Sequence, residues 1–415
     1  MGSALFAFVD DLPEAELGQL VGEIRDRYRV DGVTVAAAYH EARDVTPHGR
    51  HRLVWRRDGV HFRPDSALFA GQRLAPPLLE DAAAEPFGPL RAAVRERGMA
   101  LHGWAVFCHN TALGSQFPDC TAETCFGDRA SLADLCPAHP DVRAYCVALA
   151  RNVARLGVDS VVAESLHYGG FAHGYHHERS FVPLGGLDRF LFGLCFCRHC
   201  AANAEQRGVD AQQARAECRA ALERALGGGA VGPEEVTAQA VGEHAGSAVA
   251  AYADCRQDVV TDLVSAVSAA VAEEGSRLVL LDHTGAVKGY ADGAPTGPPL
   301  ARAGWEFGVD PAALGRVVDE YGVLAYVRDE RRLVQDLASY RDVCGPDVPL
   351  RAVLRPGPPD TDSEAHLADK VAAAREYADA VDFYHYGLNT LADLDRIGAA
   401  QAGDGRGTGG RRSRA

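Results

Sequence analysis

The 415-residue chain contains no run of eighteen or more apolar residues, so no membrane-spanning helix is expected. Basic charge is also scarce. Lys and Arg number 42 against 57 Asp and Glu, a formal net charge of −15, which argues against a surface that tracks nucleic-acid phosphates. The opening MGSALFAFVDDLPEAE has no basic segment ahead of its apolar stretch, so a secretory leader is not expected and a cytoplasmic location is the expectation. Neither GxGxxG nor GxxxxGK(S/T) follows the first apolar run, so the common nucleotide-binding open sheets lose their main support. No repeat of solenoid period is present. The last fifteen residues, QAGDGRGTGGRRSRA, lack large apolar side chains and are expected to be a disordered tail (401–415).

What is present is a series of short apolar runs, most followed by an amphipathic stretch of helix length. They are Leu5–Asp10, Gly32–His40, Met99–Asn110, Val158–Ser165, Arg277–His283, Tyr321–Asp329, Leu350–Gly357 and Ala380–Gly387. Nearly continuous apolar strands alternating with helices signal a parallel sheet covered on both faces. Eight such units predict an α/β fold, a (β/α)8 TIM barrel over residues 1–400 in one domain. Two connections are oversized: a loop after the second strand (about 41–85) and a helical insertion after the fourth (about 166–276).

In such a barrel the pocket is read from the C-terminal strand ends. These ends carry His40, His109, Asn110, Glu164, Asp282, His283, Arg328, Asp329, Arg355, His385 and Tyr386. Any one of them also fits a cap or loop role. Their number predicts a polar pocket for a hydroxyl-rich or anionic small molecule. Glu164, directly after the apolar VVA, is the sharpest candidate, because partial burial there raises a carboxyl towards general-acid duty. Glycoside cleavage needs a second carboxylate, and Asp282 and Asp329 are the candidates. The stretch His167–Phe181 holds His173, His176 and His177, but not in HExxH spacing. It reads as a substrate loop, with Tyr168, Phe171 and Tyr175 stacking on a sugar ring.

Eleven cysteines, an odd number and mostly single, point to buried thiols and metal ligands rather than a disulfide framework. Residues 195–200 read CFCRHC. Three soft ligands at that spacing suit a tetrahedral zinc, which needs a fourth; Cys120, Cys125 and Cys136 are available upstream.

The order of LCPAHPDVRAY (Leu135–Tyr145), a helix, a strand ending in Glu164 and then CFCRHC resembles the zinc-containing β-galactosidases, and more broadly the glycosyl-hydrolase-like barrels of bacteria. The resemblance implies a structural Zn²⁺ held by Cys136, Cys195, Cys197 and Cys200, with Glu164 as the acid/base. The chain departs from that pattern in three places. Ala163 stands where Asn precedes the acid/base, Arg355 where a Glu nucleophile ends the seventh strand, and Tyr384, His385 and Tyr386 follow the eighth.

The expectation is therefore a glycoside hydrolase-like enzyme acting on a small polar or anionic carbohydrate. Glu164 is its general acid, and Asp282 or Asp329 its second carboxylate. A catalytically inactive carbohydrate-binding barrel, and a lyase or isomerase using Glu164 with His283, are the alternatives. No nucleic-acid or membrane partner is expected, and oligomerisation is left open.

Overall fold

The computed structural model describes residues 2–171, 179–288 and 293–402. Residues 403–415 of the expected tail and the His173–His177 loop therefore fall outside the described residues, while Gln401 and Ala402 end the helix Leu391–Ala402 rather than belonging to the tail. Eight parallel strands are present: β1 (Ala4–Ala7), β2 (Gly32–Tyr39), β3 (Ala100–Val106), β4 (Ser160–Glu164), β5 (Arg277–Asp282), β6 (Glu320–Leu324), β7 (Leu350–Leu354) and β8 (Ala380–Phe383). Each pairs with its sequence neighbour, and β1 pairs with both β2 and β8, so the sheet closes into a (β/α)8 barrel. Four to eight consecutive residues of each strand are almost entirely buried, because the barrel interior covers one face and the helices the other. That explains why the strands read as unbroken apolar runs.

Alternation along the strands decides which side chains face inward. Phe6, Thr34, His102, Val162, Val279, Leu281, Arg351, Val353 and Asp382 meet in the barrel interior. At its floor Arg351 grips Asp382 through Nε (2.7 Å) and Nη2 (2.6 Å), and reaches Glu320 through Nη1 (2.7 Å). Stepping two residues toward the C-terminal end brings His102 to Trp104, Val162 to Glu164 and Leu281 to His283. The same parity turns Asp282 outward.

One irregularity changes this pattern. The β2–β3 register shifts between Ala36 and Ala38, and the bulge re-aims Tyr39 so that its ring packs 4.7 Å from that of Trp104.

The segment after β2 is more ordered than the expected loop. Ala42–Val45 and Leu53–Arg56 form an antiparallel hairpin, and Gly59–Val60 adds to β2. Its four-residue strands alternate between exposed and covered positions, so they lack the apolar continuity by which the barrel strands are recognised. The connection from β4 to β5 carries helices at Gly186–Gly193, Arg198–Gln206, Ala211–Leu226, Ala238–His244 and Ser247–Glu273. Among the described residues no helix is long and apolar enough to cross a membrane.

Candidate active site

Glu164 ends β4 with its side chain turned into the barrel mouth, and the residue is only 6% exposed. Burial raises its pKa to about 7, against the opposing pull of a Trp104 hydrogen bond and the charge of His109. The indole Nε1–H of Trp104 donates to Oε2 at 2.7 Å. His283 Nε2 lies 3.7 Å from Oε1. A carboxyl poised near neutrality between a fixed donor and an imidazole can give or take a proton at physiological pH.

Aromatic rings wall this carboxyl. Tyr39, Trp104 and Tyr384 pack together, with Trp104 and Tyr384 centroids 5.9 Å apart, and Tyr326 lies 5.5 Å from Tyr384. The charge of Glu164 helps hold the hydroxyls of Tyr39, Tyr326 and Tyr384 protonated, although burial is the larger cause in each. His40 stacks on Tyr39 and meets His109 edge-on, with centroids 4.3 and 5.0 Å apart. His109 Nδ1 bonds Asp134 at 3.1 Å. Burial disfavours its charge, but the Asp134 contact and the charges of Asp58 and Glu164 outweigh that and raise its pKa.

The expected second carboxylates are not delivered to this mouth. Asp282 is outward-facing and 2% exposed, with Oδ2 accepting from the Tyr321 hydroxyl (2.6 Å) and the Tyr340 hydroxyl (2.8 Å). Its other oxygen accepts from Thr284 N (2.8 Å), so it ties β5 to the helix layer. Asp329 caps the helix Glu330–Cys344, accepting from Arg332 N at 3.0 Å, which is the ordinary use of an Asp at that position. Among the described residues no second carboxylate contributes to the shift of Glu164. Asp11 is another buried acid raised to about 7, by burial and by Asp10. It contacts His385 (3.7 Å), whose ring packs on Phe8 and faces Trp104, so it belongs to the layer behind Trp104.

Several expected substrate contacts prove structural. Asn110 caps the helix Thr111–Gln116 through Leu113 N. Tyr168 is buried beneath the cysteines, its hydroxyl 3.3 Å from Cys200 Sγ, and offers no face to a sugar. His385 is fully buried, held neutral by burial, and accepts from Gly387 N. Tyr386 packs against Tyr28 and His48. Arg328 is exposed and pairs with Asp362. Arg355 lies over the Tyr326 ring (4.6 Å), with Asp360 gripping its Nε and Nη2 at 2.7 Å each. Trp104, Tyr39 and Tyr326 were not anticipated at the site. The inward parity of β3 marks Trp104, whereas nothing in the sequence signals the bulge that turns Tyr39.

No protein-family model and no curated protein matches the chain. Solved structures do. A β-galactosidase from the psychrophilic Marinomonas ef1 superposes with a TM-score of 0.55 at 13% identity, over 97% of this chain and 60% of that one. α-L-Fucosidase isoenzyme 2 from Paenibacillus thiaminolyticus gives 0.53 at 12% identity, over 97% of this chain and 49% of its own. Both neighbours are glycosidases. At these identities the likeness shows the shared barrel, and the chain spans less than two thirds of either neighbour's length.

Beside the mouth, Cys136, Cys195, Cys197 and Cys200 converge, all buried and with sulfurs within 4.8 Å of one another. Cys136 Sγ lies 3.7 Å from Cys195, 3.7 Å from Cys197 and 3.4 Å from Cys200. A disulfide requires about 2.05 Å, so these are four thiols. Tetrahedral zinc with Zn–S near 2.3 Å sets neighbouring sulfurs about 3.8 Å apart, close to what is seen. Of the other upstream cysteines, Cys120 sits 3.9 Å from the His139 ring nitrogens, and Cys125 interacts with Cys218.

Proposed function

We propose that the chain is a glycoside hydrolase-like enzyme in which Glu164 protonates the leaving oxygen of a small polar carbohydrate. One observation carries this reading. The carboxyl at the end of β4 is buried, aimed by the Trp104 N–H and raised to about 7, so it holds a proton where an ordinary Glu would not. The aromatic wall supplies faces on which a sugar ring stacks, and the barrels of a β-galactosidase and an α-L-fucosidase share the fold. His40 and His109 line the same mouth and provide polar contacts for hydroxyl groups.

A second reading is favoured by His283, 3.7 Å from Glu164, in the absence of an opposed carboxylate among the described residues. Glu164 and His283 would then act as an acid–base pair in a lyase or isomerase. The same experiment separates the two: wild type, Glu164→Gln and His283→Ala are assayed on a panel of aryl glycosides and free sugars, with products identified. Hydrolysis abolished by Glu164→Gln supports the first reading. Isomerised or unsaturated products that need both residues support the second. Sugar binding without turnover by wild type overturns both.

The four-cysteine cluster fits Zn²⁺, with Cys136, Cys195, Cys197 and Cys200 as its ligands. A bound ion would cross-link the segment before the helix Pro140–Arg155 to the insertion that follows β4, a structural role. Metal analysis of protein purified without added metal tests this. About one zinc per chain is expected, and four alkylatable thiols with no metal would contradict it.

A further inference from the structure

The hairpin of Ala42–Val45 and Leu53–Arg56 follows β2 and so stands on the barrel end that carries Glu164. Its inner face is tied down. The Arg56 guanidinium lies 3.3 Å from the Phe8 ring centroid and bonds Asp10 at 3.0 Å, while Asp44 holds the same side chain. Phe8 in turn stacks on Trp104, with centroids 5.8 Å apart. His48, in the turn, reaches the Tyr386 carbonyl at 3.0 Å.

The outer face is open. Pairing sets Arg43 opposite Trp55 and Val45 opposite Leu53, and the two-residue period of a strand turns all four away from Asp44 and Arg56. Trp55 is 65% exposed, Val45 68% and Leu53 53%. Of the three tryptophans, Trp104 is buried and Trp305 partly covered, so Trp55 alone stands in water. An indole and two aliphatic chains left together in water mark a contact surface. The Arg43 guanidinium lies over the Trp55 ring at 5.4 Å, so a cation and an aromatic face occur side by side.

Charge narrows the partner. Between residues 41 and 57, Arg43, Arg50, Arg52 and Arg57 are exposed, against Glu41 as the one exposed acid. Among the described residues none of these four arginines pairs with a carboxylate. This basic patch sits on a chain of net charge −15, so it selects an acidic partner, and pairing two such hairpins would oppose like charges. Three apolar side chains are a small anchor for a bilayer. A ring-bearing polyanion uses every part of the patch: a pyranose lays its C–H face on the indole, and its carboxylate meets the guanidinium beside it.

We infer that the outer face of this hairpin is a docking surface for an acidic polysaccharide built of uronate units, with Trp55 stacking on a sugar ring and Arg43, Arg50 and Arg52 meeting carboxylates. The choice of a glycan over other polyanions rests on the glycoside hydrolase-like reading of Glu164.

Affinity electrophoresis of the full chain through gels holding polygalacturonate, dextran or polyglutamate tests it, with flotation on phosphatidylglycerol vesicles alongside. Polygalacturonate retards the protein at about 0.05 M salt and much less at about 0.5 M, whereas dextran does not retard it. Trp55→Ala weakens retention about tenfold, and Trp55→Tyr, which keeps a stacking face, about twofold. Replacing Arg43 and Arg52 together by Gln removes most of the salt-sensitive part. Polyglutamate retarding the protein as strongly, with no effect of Trp55→Ala, would leave charge alone and overturn the glycan assignment. Flotation on vesicles without retention by polygalacturonate would make this a membrane contact and overturn it as well. Equal mobility in polygalacturonate and dextran also refutes it. Hydrolysis of aryl glycosides by a protein that ignores polygalacturonate refutes this surface alone. Trp55-dependent retention by a protein that hydrolyses no glycoside supports the surface and refutes the reading of Glu164.

Discussion

Replacing Glu164 by Gln should stabilise the protein, and by an amount that depends on pH. The carboxyl moves from 4.5 to about 7 on folding, with burial the main cause. The folded state therefore binds more protons than the unfolded state between these values, and stability falls as pH rises through that window. At 1.36 kcal/mol per pH unit the full cost is about 3 kcal/mol, present above pH 7 and absent below pH 4.5. Gln cannot ionise, and its carbonyl oxygen can still accept from Trp104, so the variant escapes the cost without losing the contact. The variant should be more stable by about 3 kcal/mol at pH 8 and by less than about 1 kcal/mol at pH 5. For a chain of this length the difference at pH 8 is roughly 3–4 °C in Tm, from ~2.1 cal/mol/K per residue. Thermal or urea unfolding of both proteins at the two pH values measures it. A variant no more stable than wild type at pH 8, or a difference that ignores pH, would refute the claim that Glu164 is buried at a cost for its proton.

Trp104→Phe removes the donor that holds the Glu164 pKa down, so the basic limb of any Glu164-dependent pH profile should move upward; an unmoved limb contradicts the hydrogen bond's role. Asp282→Asn should cost about 1–3 kcal/mol in urea unfolding, because two buried tyrosine hydroxyls lose a charged acceptor, while turnover per folded molecule stays within about twofold. A large loss of turnover at unchanged stability would return Asp282 to the site. Cys136→Ser should lower metal content measured by mass spectrometry and lower Tm together, since this sulfur lies within 3.7 Å of each of the other three.

The eight barrel strands were legible because each is an apolar run covered on both faces, and their alternation with helices leaves few topologies. The end of β4, and so the position of Glu164, was legible for the same reason. The cysteine spacing marked residues that the fold brings together, although Cys136 arrives from sixty residues away. The choice between Asp282 and His283 was legible in principle. Counting by twos from the inward Val279 and Leu281 puts His283 in the mouth and Asp282 outside it. Trp104 was harder, since an aromatic within a strand reads as core until a buried carboxylate is found beside it. Tyr39 depends on a bulge between Ala36 and Ala38 that leaves no residue signature, both being alanines in an alanine run. Tyr168 misled because aromatics near an acidic strand end suggest stacking, whereas its ring lies between Arg256 and Cys200.

The most direct test of Glu164 as proton donor is the leaving-group dependence of Glu164→Gln on a glycoside that the wild type hydrolyses. Departure of phenol needs protonation, so the phenyl glycoside should lose about 10²–10⁴-fold in kcat/KM. Departure of 2,4-dinitrophenolate does not, and that substrate should lose far less. Equal losses on the two substrates, or no loss on either, would contradict the assignment.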